Sequence, residues 1–277
     1  DRFCQQVQAN RVSLVYMSPA HALALSNMSS LQNYDLSSVD AILFSGTSVP
    51  AAMVTKMPEL LGGKVLILWG MTECYGTLLT RPDDEFDIVS RTVGRAERGC
   101  EVAILDADGN EAPRGEVGEL AQRGANLFTH YHKSPHLLEE AFTEQGWFRS
   151  GDLATMDQAG NVTIVSRVKD MINRGGTKIY PAEVEMLLHE HPKIQAAAIV
   201  AMPDERLGEK ACLYAVTREV SELTLGEVTA FLDERGIAKY KYPERVEVLE
   251  ALPLNPSNKV DKIALRRMAA EGDAATR

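Results

Sequence analysis

Three short apolar runs, at residues 12–17, 39–45 and 65–69, constrain this chain more than any other feature. Each is rich in Val, Ile or Leu, and each is closed by a breaker: Ser18-Pro19, Gly46 and Gly70. Helical patterns lie between them, around residues 20–28 and 51–61. Short apolar runs bounded by turn residues read as buried strands. Strands separated by helices need crossover connections, which pair them in parallel and place ligands at their carboxyl ends. An α/β fold with a parallel subdomain is therefore expected for the first part of the chain.

The pattern changes twice further on. Over residues 92–165 the strands become short and turn-rich, at 102–105, 118–123, 153–156 and 162–165. Asp/Gly/Asn clusters at 106–110 and 157–161 supply hairpin turns between them, so a small antiparallel, barrel-like subdomain is predicted. Residues 170–277 read as a separate small α+β unit. Pro181 suits a first helical turn, followed by an apolar stripe of Val184, Leu187 and Leu188. Strands are expected at 194–202 and 210–217, with a further one around Val246 and Val248. Thr224 and Glu227 form a capping box, with Gly236 past the end of the helix they begin. The boundary is placed at 166–170, giving domains 1–167 and 168–277. At 277 residues, two domains are an ordinary count.

Lys and Arg number 29 against 39 Asp and Glu, a net charge of 29 − 39 = −10, which excludes a basic nucleic-acid-coating protein. A phosphate-bearing small ligand needs only local cations and stays open. No apolar run reaches the roughly 18 residues of a membrane span, and no signal-peptide pattern is present. Cys4, Cys74, Cys100 and Cys212 are scattered without metal-like spacing, as expected of free thiols in the cytoplasm. Neither common phosphate-loop fingerprint, GxxxxGK[ST] or GxGxxG, occurs. His130, His132 and His136 lack a further zinc ligand at suitable spacing, and Asp106-x-Asp108-Gly109 reads as a turn.

Four segments are harder to explain as scaffold. Trp69-Gly70-Met71-Thr72-Glu73 presents an aromatic face, a hydroxyl and a carboxylate after a buried strand. These suit a base, a phosphate oxygen and Mg²⁺. Asp152, between Gly151 and Leu153, suits the paired hydroxyls of a ribose. In the run from Arg167 to Glu183, Gly175-Gly176 permits close backbone approach by a ligand. Pro253 and Pro256 flank a loop that delivers Lys259. Taken singly, each has an ordinary reading: strand end, turn, linker, surface lysine.

Their order resembles the adenylate-forming enzymes, which include acyl- and aryl-CoA ligases, adenylation domains of peptide synthetases and luciferases. The motifs are WGMTE, GELxxRG over Gly118–Gly124, WFRSGDL, RVKDMINRGGTKIxPxE and PxxxxNKVDK. The chain is most similar to AMP-forming acid–CoA ligases for fatty, alicyclic or aryl acids. Its RGGTKI and KYPERVE segments also resemble dihydroxybenzoate-type aryl ligases. The resemblance implies ATP/AMP, Mg²⁺ and coenzyme A as ligands and a small carboxylic acid as substrate.

It also implies roles. Trp69, with Gly70, flanks adenine; Thr72 contacts the α-phosphate; Glu73 holds Mg²⁺. Asp152 binds the ribose, with Arg167 beside it. Gly46, in the loop Ser45-Gly46-Thr47, borders the acyl pocket. Lys169 is the hinge of a mobile C-terminal lid, Gly175 and Gly176 line a pantetheine tunnel, and Lys259 bridges the carboxylate and the α-phosphate. Two departures qualify this. The last motif usually reads Gly-Lys, and here it is Asn258-Lys259. The family's Ser/Thr/Gly-rich phosphate loop and the first half of its large domain have no counterpart, so the chain is expected to be a piece of a longer polypeptide, inactive alone. Two other readings stay open: an acid–AMP ligase that loads a carrier-protein phosphopantetheine, and a non-catalytic nucleotide-binding remnant.

Overall fold

A computed structural model of the chain describes residues 1–218, 222–256 and 259–274. It divides into two compact units, Asp1–Ile164 and Val165–Arg277.

The first unit begins with α1 (Arg2–Asn10), β1 (Leu14–Met17), α2 (Pro19–Ser26), β2 (Ala41–Phe44), α3 (Ala51–Leu61) and β3 (Lys64–Met71). β1, β2 and β3 pair in parallel, as the spaced apolar runs predict. Burial alternates along them: Val15, Met17, Ile42, Phe44, Val65 and Ile67 are buried, whereas Leu14 and Tyr16 are exposed. The buried set packs with Cys4 and Val7 of α1 and with Val54, Met57 and Leu61 of α3. α3 ends at Gly62, and Gly63 follows with a positive φ of 69°; a Cβ there would lie 2.6 Å from the backbone of Asp40. The Gly-Gly is thus a helix stop that lets β3 start beside β2.

The parallel order does not continue. β4 (Tyr75–Leu79) turns back antiparallel on β3, and after α4 (Phe86–Arg91), β5 (Arg95–Ala96) pairs antiparallel with β4. A second, four-stranded sheet follows in the order β6 (Cys100–Leu105), β7 (Gly118–Gly124), β8 (Phe148–Met156) and β9 (Val162–Arg167), with α5 (His136–Ala141) before β8. The Asp106 carboxylate accepts the backbone N–H groups of Asp108 and Asn110 at 2.9 Å each, which closes the turn after β6.

The second unit contains β10 (Ile172–Arg174), β11 (Thr177–Ile179), α6 (Pro181–Leu188), β12 (Ile194–Asp204), β13 (Gly208–Thr217), α7 (Leu225–Glu234), β14 (Arg245–Val248) and α8 (Lys262–Ala274). The sheet order is β11-β10-β13-β12, with β14 parallel to β13. The period-2 alternation of strands sorts its two faces. Ile199, Leu213 and Ala215 pack with Val184 and Leu188 of α6 and Val228 and Leu232 of α7. Val200, Met202, Cys212 and Tyr214 pack with Leu265 and Ala269 of α8. The Thr224–Glu227 capping box forms reciprocally. Glu185 of α6 accepts the Ile199 N–H at 2.6 Å and pairs with Lys262 at 2.7 Å, so one carboxylate ties α6, β12 and α8 together. Among the described residues, no helix is long and apolar enough to cross a membrane.

Candidate functional site

The first unit gathers Trp69, Gly70, Thr72, Glu73 and Asp152 through two sets of bonds. β3 does not stop at Trp69, where the apolar run ends; it runs on to Met71 and makes a hairpin with β4, whose tip is Thr72-Glu73-Cys74. The register shifts between Trp69 and Gly70, and Gly70 then faces Gly76. A Cβ at Gly70 would lie 1.7 Å from the Tyr75 carbonyl oxygen, so glycine is the residue that lets the two backbones cross. Tyr75 takes a positive φ of 56°, and the Cys74 N–H donates to the Met71 carbonyl at 3.1 Å. This turn leaves Thr72 exposed and Glu73 half-buried.

The hairpin tip is held by the segment after β7. Asn126 Nδ2 donates to the Cys74 carbonyl at 2.6 Å and to Thr77 Oγ1 at 3.2 Å. The Phe128 N–H donates to the Glu73 carbonyl at 2.8 Å, and the Tyr131 hydroxyl donates to Glu73 Oε1 at 3.0 Å. Burial pushes the Tyr131 phenol above its ordinary pKa, and the hydrogen bond and charge of Glu73 push it the same way.

Asp152 reaches the same region from β8. Trp69 Nε1 donates to Asp152 Oδ2 at 2.9 Å, joining residues 83 apart in sequence. The local cause is an irregularity in β8. Gly151 has a φ of 74°, and the β7–β8 register shifts between Glu119 and Ala121. The Gly151 N–H donates to Glu119 Oε1 at 3.1 Å, and Arg149 grips Glu119 Oε2 through Nε at 2.9 Å and Nη2 at 2.5 Å. Ser150 Oγ, bonded to the Leu120 carbonyl at 2.6 Å, accepts the Asp152 N–H at 3.1 Å. This bulge sets the direction of the carboxylate.

Gly46 follows β2 with a φ of 91°. Because Phe44 pairs with Ile67, Gly46 is level with Trp69 at the carboxyl ends of the parallel strands. Ser45 Oγ is hydrogen-bonded to the Tyr16 hydroxyl.

The remaining candidates belong to the second unit. Lys169 is exposed in a 3₁₀ turn over Val168–Asp170, next to exposed Arg167. The Lys169 carbonyl accepts Arg266 Nη2 at 2.7 Å, and Asp170 pairs with the same guanidinium. Gly175 and Gly176 form the β10–β11 turn with φ of 59° and 92°. The Gly176 N–H donates to Asn173 Oδ1 at 2.9 Å.

Lys259 is exposed on a loop that the Pro253 carbonyl helps to close by accepting the Asp261 N–H at 2.8 Å. The Asn255 N–H donates to the Lys259 carbonyl at 2.8 Å, and Asn255 Oδ1 accepts the Lys259 N–H at 3.0 Å. Asp261 Oδ1 accepts the N–H groups of Ile263 and Ala264 at 3.0 and 3.1 Å, starting α8 directly after the loop. Asn258, the departure from Gly-Lys, lies outside the described residues.

The donor set suits a hard cation. Glu73 Oε1 is taken by Tyr131, while Oε2 has no partner among the described residues. Mg²⁺ is commonly held by one or two carboxylates together with substrate phosphates. Sequence reasoning missed Tyr131 and Asn126. Their only local signal is the Asn126-Leu-Phe-Thr-His-Tyr131 run after the GELxxRG strand.

The site thus sets an acid and a hydroxyl on a hairpin at the end of a parallel sheet, with a second acid bonded to the preceding indole. The sequence profile of the AMP-binding enzyme family matches residues 1–132, and that of the AMP-binding enzyme C-terminal domain matches residues 183–259. The chain belongs to this adenylate-forming superfamily.

It is 41% identical over 244 residues to the medium-chain fatty-acid–CoA ligase of Escherichia coli K12, covering 88% of this chain and 43% of that protein. It is 33% identical over 266 residues to the 2,3-dihydroxybenzoate-AMP ligase of Bacillus subtilis 168, covering 96% and 49%. The solved o-succinylbenzoate CoA synthetase of Bacillus subtilis, in complex with its acyl-adenylate intermediate, superposes with a TM-score of 0.85 at 29% identity, covering 96% of this chain and 53% of that one. The chain spans about half the length of the curated relatives it matches.

Proposed function

We propose that this chain is the carboxyl-terminal half of an AMP-forming acid–CoA ligase acting on a fatty, alicyclic or aryl acid. The observation that carries the reading is the 2.9 Å bond from Trp69 to Asp152, in the unit whose β3–β4 hairpin presents Thr72 and Glu73.

In the first step a carboxylate oxygen attacks the α-phosphorus of ATP, and the bond to the β-phosphate breaks. Two anions must meet, and their repulsion is a large barrier. Lys259, exposed on its Asn255-pinned loop, places a cation between them. Asp152 holds the ribose hydroxyls, its carboxylate oriented by Trp69 and by the Gly151 bulge. Thr72 donates to the α-phosphate. Glu73, together with the substrate phosphates, would hold Mg²⁺, which would supply charge neutralisation to the pyrophosphate.

In the second step the coenzyme A sulfur attacks the acyl carbon, its proton passes to solvent and AMP leaves. A swing about Lys169 withdraws Lys259 and presents the Gly175-Gly176 turn to the pantetheine arm. A hinge needs only a residue or two to absorb such a change.

The test is acid-dependent exchange of labelled pyrophosphate into ATP, using the polypeptide as its source encodes it and a panel of carboxylic acids. Exchange with an acid, and none without it, supports the reading. ATP binding without exchange for any acid favours a non-catalytic nucleotide-binding module. Supplying coenzyme A or a phosphopantetheinylated carrier protein to the adenylate then separates a CoA ligase from a carrier-loading one.

A further inference from the structure

We propose that Tyr131 is a positioning residue that fixes the Glu73 carboxylate for a divalent cation, an inference that rests on reading Glu73 as the cation-holding acid. Glu73 lies on a turn, where its backbone and its side chain could each move. The structure restrains both from one short segment: the Phe128 N–H holds the Glu73 carbonyl at 2.8 Å, and the Tyr131 hydroxyl holds Oε1 at 3.0 Å.

That segment is stiffened by ring packing. Tyr131 lies 4.6 Å from Phe128 between centroids, and Phe128 lies 5.5 Å from the buried Phe148 in an edge-on contact. A donor on one carboxylate oxygen sets the plane of the group and so the direction of the other. Oε2 has no partner among the described residues. Mg²⁺ demands near-ideal octahedral geometry, so a carboxylate held in one orientation binds it better than one that rotates.

The hydroxyl can be removed while the ring stays. In the polypeptide as encoded, Tyr131→Phe is compared with the parent by Mn²⁺ titration in an electron paramagnetic resonance assay, with a non-hydrolysable ATP analogue bound. The Mn²⁺ Kd is expected to rise about tenfold, the low end of what a hydrogen bond to a charged group contributes. Analogue affinity without metal stays within about twofold. In a Glu73→Gln background, adding Tyr131→Phe changes nothing further, because the two groups act as one.

Phe128→Leu loosens the ring packing and keeps the hydroxyl, so it should lower the thermal midpoint and raise the Mn²⁺ Kd by less than Tyr131→Phe does. A rise as large as that in Tyr131→Phe would mean that general packing, and not the hydroxyl, orients Glu73, and would overturn the role of Tyr131. An unchanged or tighter Mn²⁺ Kd in Tyr131→Phe overturns the role of Tyr131 while leaving Glu73 as a ligand. An unchanged Kd in Glu73→Gln overturns the metal reading of Glu73, and this inference with it.

Discussion

Gly70→Ala should break the hairpin that carries Glu73, and its cost can be worked from the backbone alone. An added Cβ falls 1.7 Å from the Tyr75 carbonyl oxygen, 2.7 Å from its carbon and 2.9 Å from Gly76 Cα. All three are backbone atoms, so no flexible side chain can yield. Ordinary contact begins at 3.4 Å, so the strands must separate by about 3.4 − 1.7 = 1.7 Å. A shift of that size breaks the hydrogen bonds around the Gly70–Gly76 and Met71–Tyr75 pairs. With overpacking added, the expected loss is about 2–4 kcal/mol.

Gly46→Ala is the control. Its φ is 91° with nothing within 4 Å of an added Cβ, so only the left-handed backbone is penalised, at about 1–2 kcal/mol. Both tryptophans, Trp69 and Trp147, lie in the first unit, so their fluorescence during urea unfolding reports on it. A Gly70→Ala loss below about 1 kcal/mol, or below that of Gly46→Ala, would refute the crossing-backbone explanation.

Trp69→Phe keeps most of the ring and removes the donor to Asp152, so AMP affinity should fall about tenfold to hundredfold by calorimetry, as expected for a lost bond to a charged group. An unchanged affinity means that the indole does not orient the acid. Acid should destabilise the second unit in two windows. Burial depresses the pKa of His191 below its ordinary 6.5, although the charge of Glu227 opposes this, so the unfolded chain takes up the proton first and stability starts to fall as pH drops through 6.5.

Asp204, held by Lys210 and the Leu207 N–H, titrates at about 2 instead of 3.8; Glu227, held by Lys193 and Thr224, at about 2 instead of 4.5. Their contributions are fully present above about 4.5 and lost as pH falls toward about 2. Urea midpoints measured across this range check both windows. Asp204→Asn with Glu227→Gln should flatten the lower one.

Much of the scaffold was legible because its signals are local. The Thr224–Glu227 capping box and the Asp106 turn each depend on residues within a few positions of one another. The parallel β1–β3 order followed from apolar runs spaced by helical patterns. The antiparallel return of β4 did not, because it turns on a backbone crossing between Gly70 and Tyr75 that leaves no periodic trace.

The candidate site divides in the same way. Trp69, Glu73 and Asp152 stood out as polar groups in unusual settings, but the bulge at Gly151 and the bond joining Trp69 to Asp152 depend on tertiary register. Tyr131 passed as one more aromatic because its partner, Glu73, is 58 residues away. The prolines around the Lys259 loop were legible, and the Pro253 carbonyl does accept from Asp261, but the bonds between Asn255 and Lys259 come from a residue that reads as ordinary turn chemistry.

The bridging role of Lys259 is tested most directly by assaying the two half-reactions separately in Lys259→Ala, in the polypeptide as encoded. Acid-dependent pyrophosphate exchange should fall by at least about 10²–10³, the effect of removing one well-placed transition-state donor. Thioester formation from supplied acyl-AMP and coenzyme A should stay within about threefold of the parent. Equal losses in both half-reactions, or exchange that survives the substitution, would contradict a cation swung between two repelling anions for the first step alone.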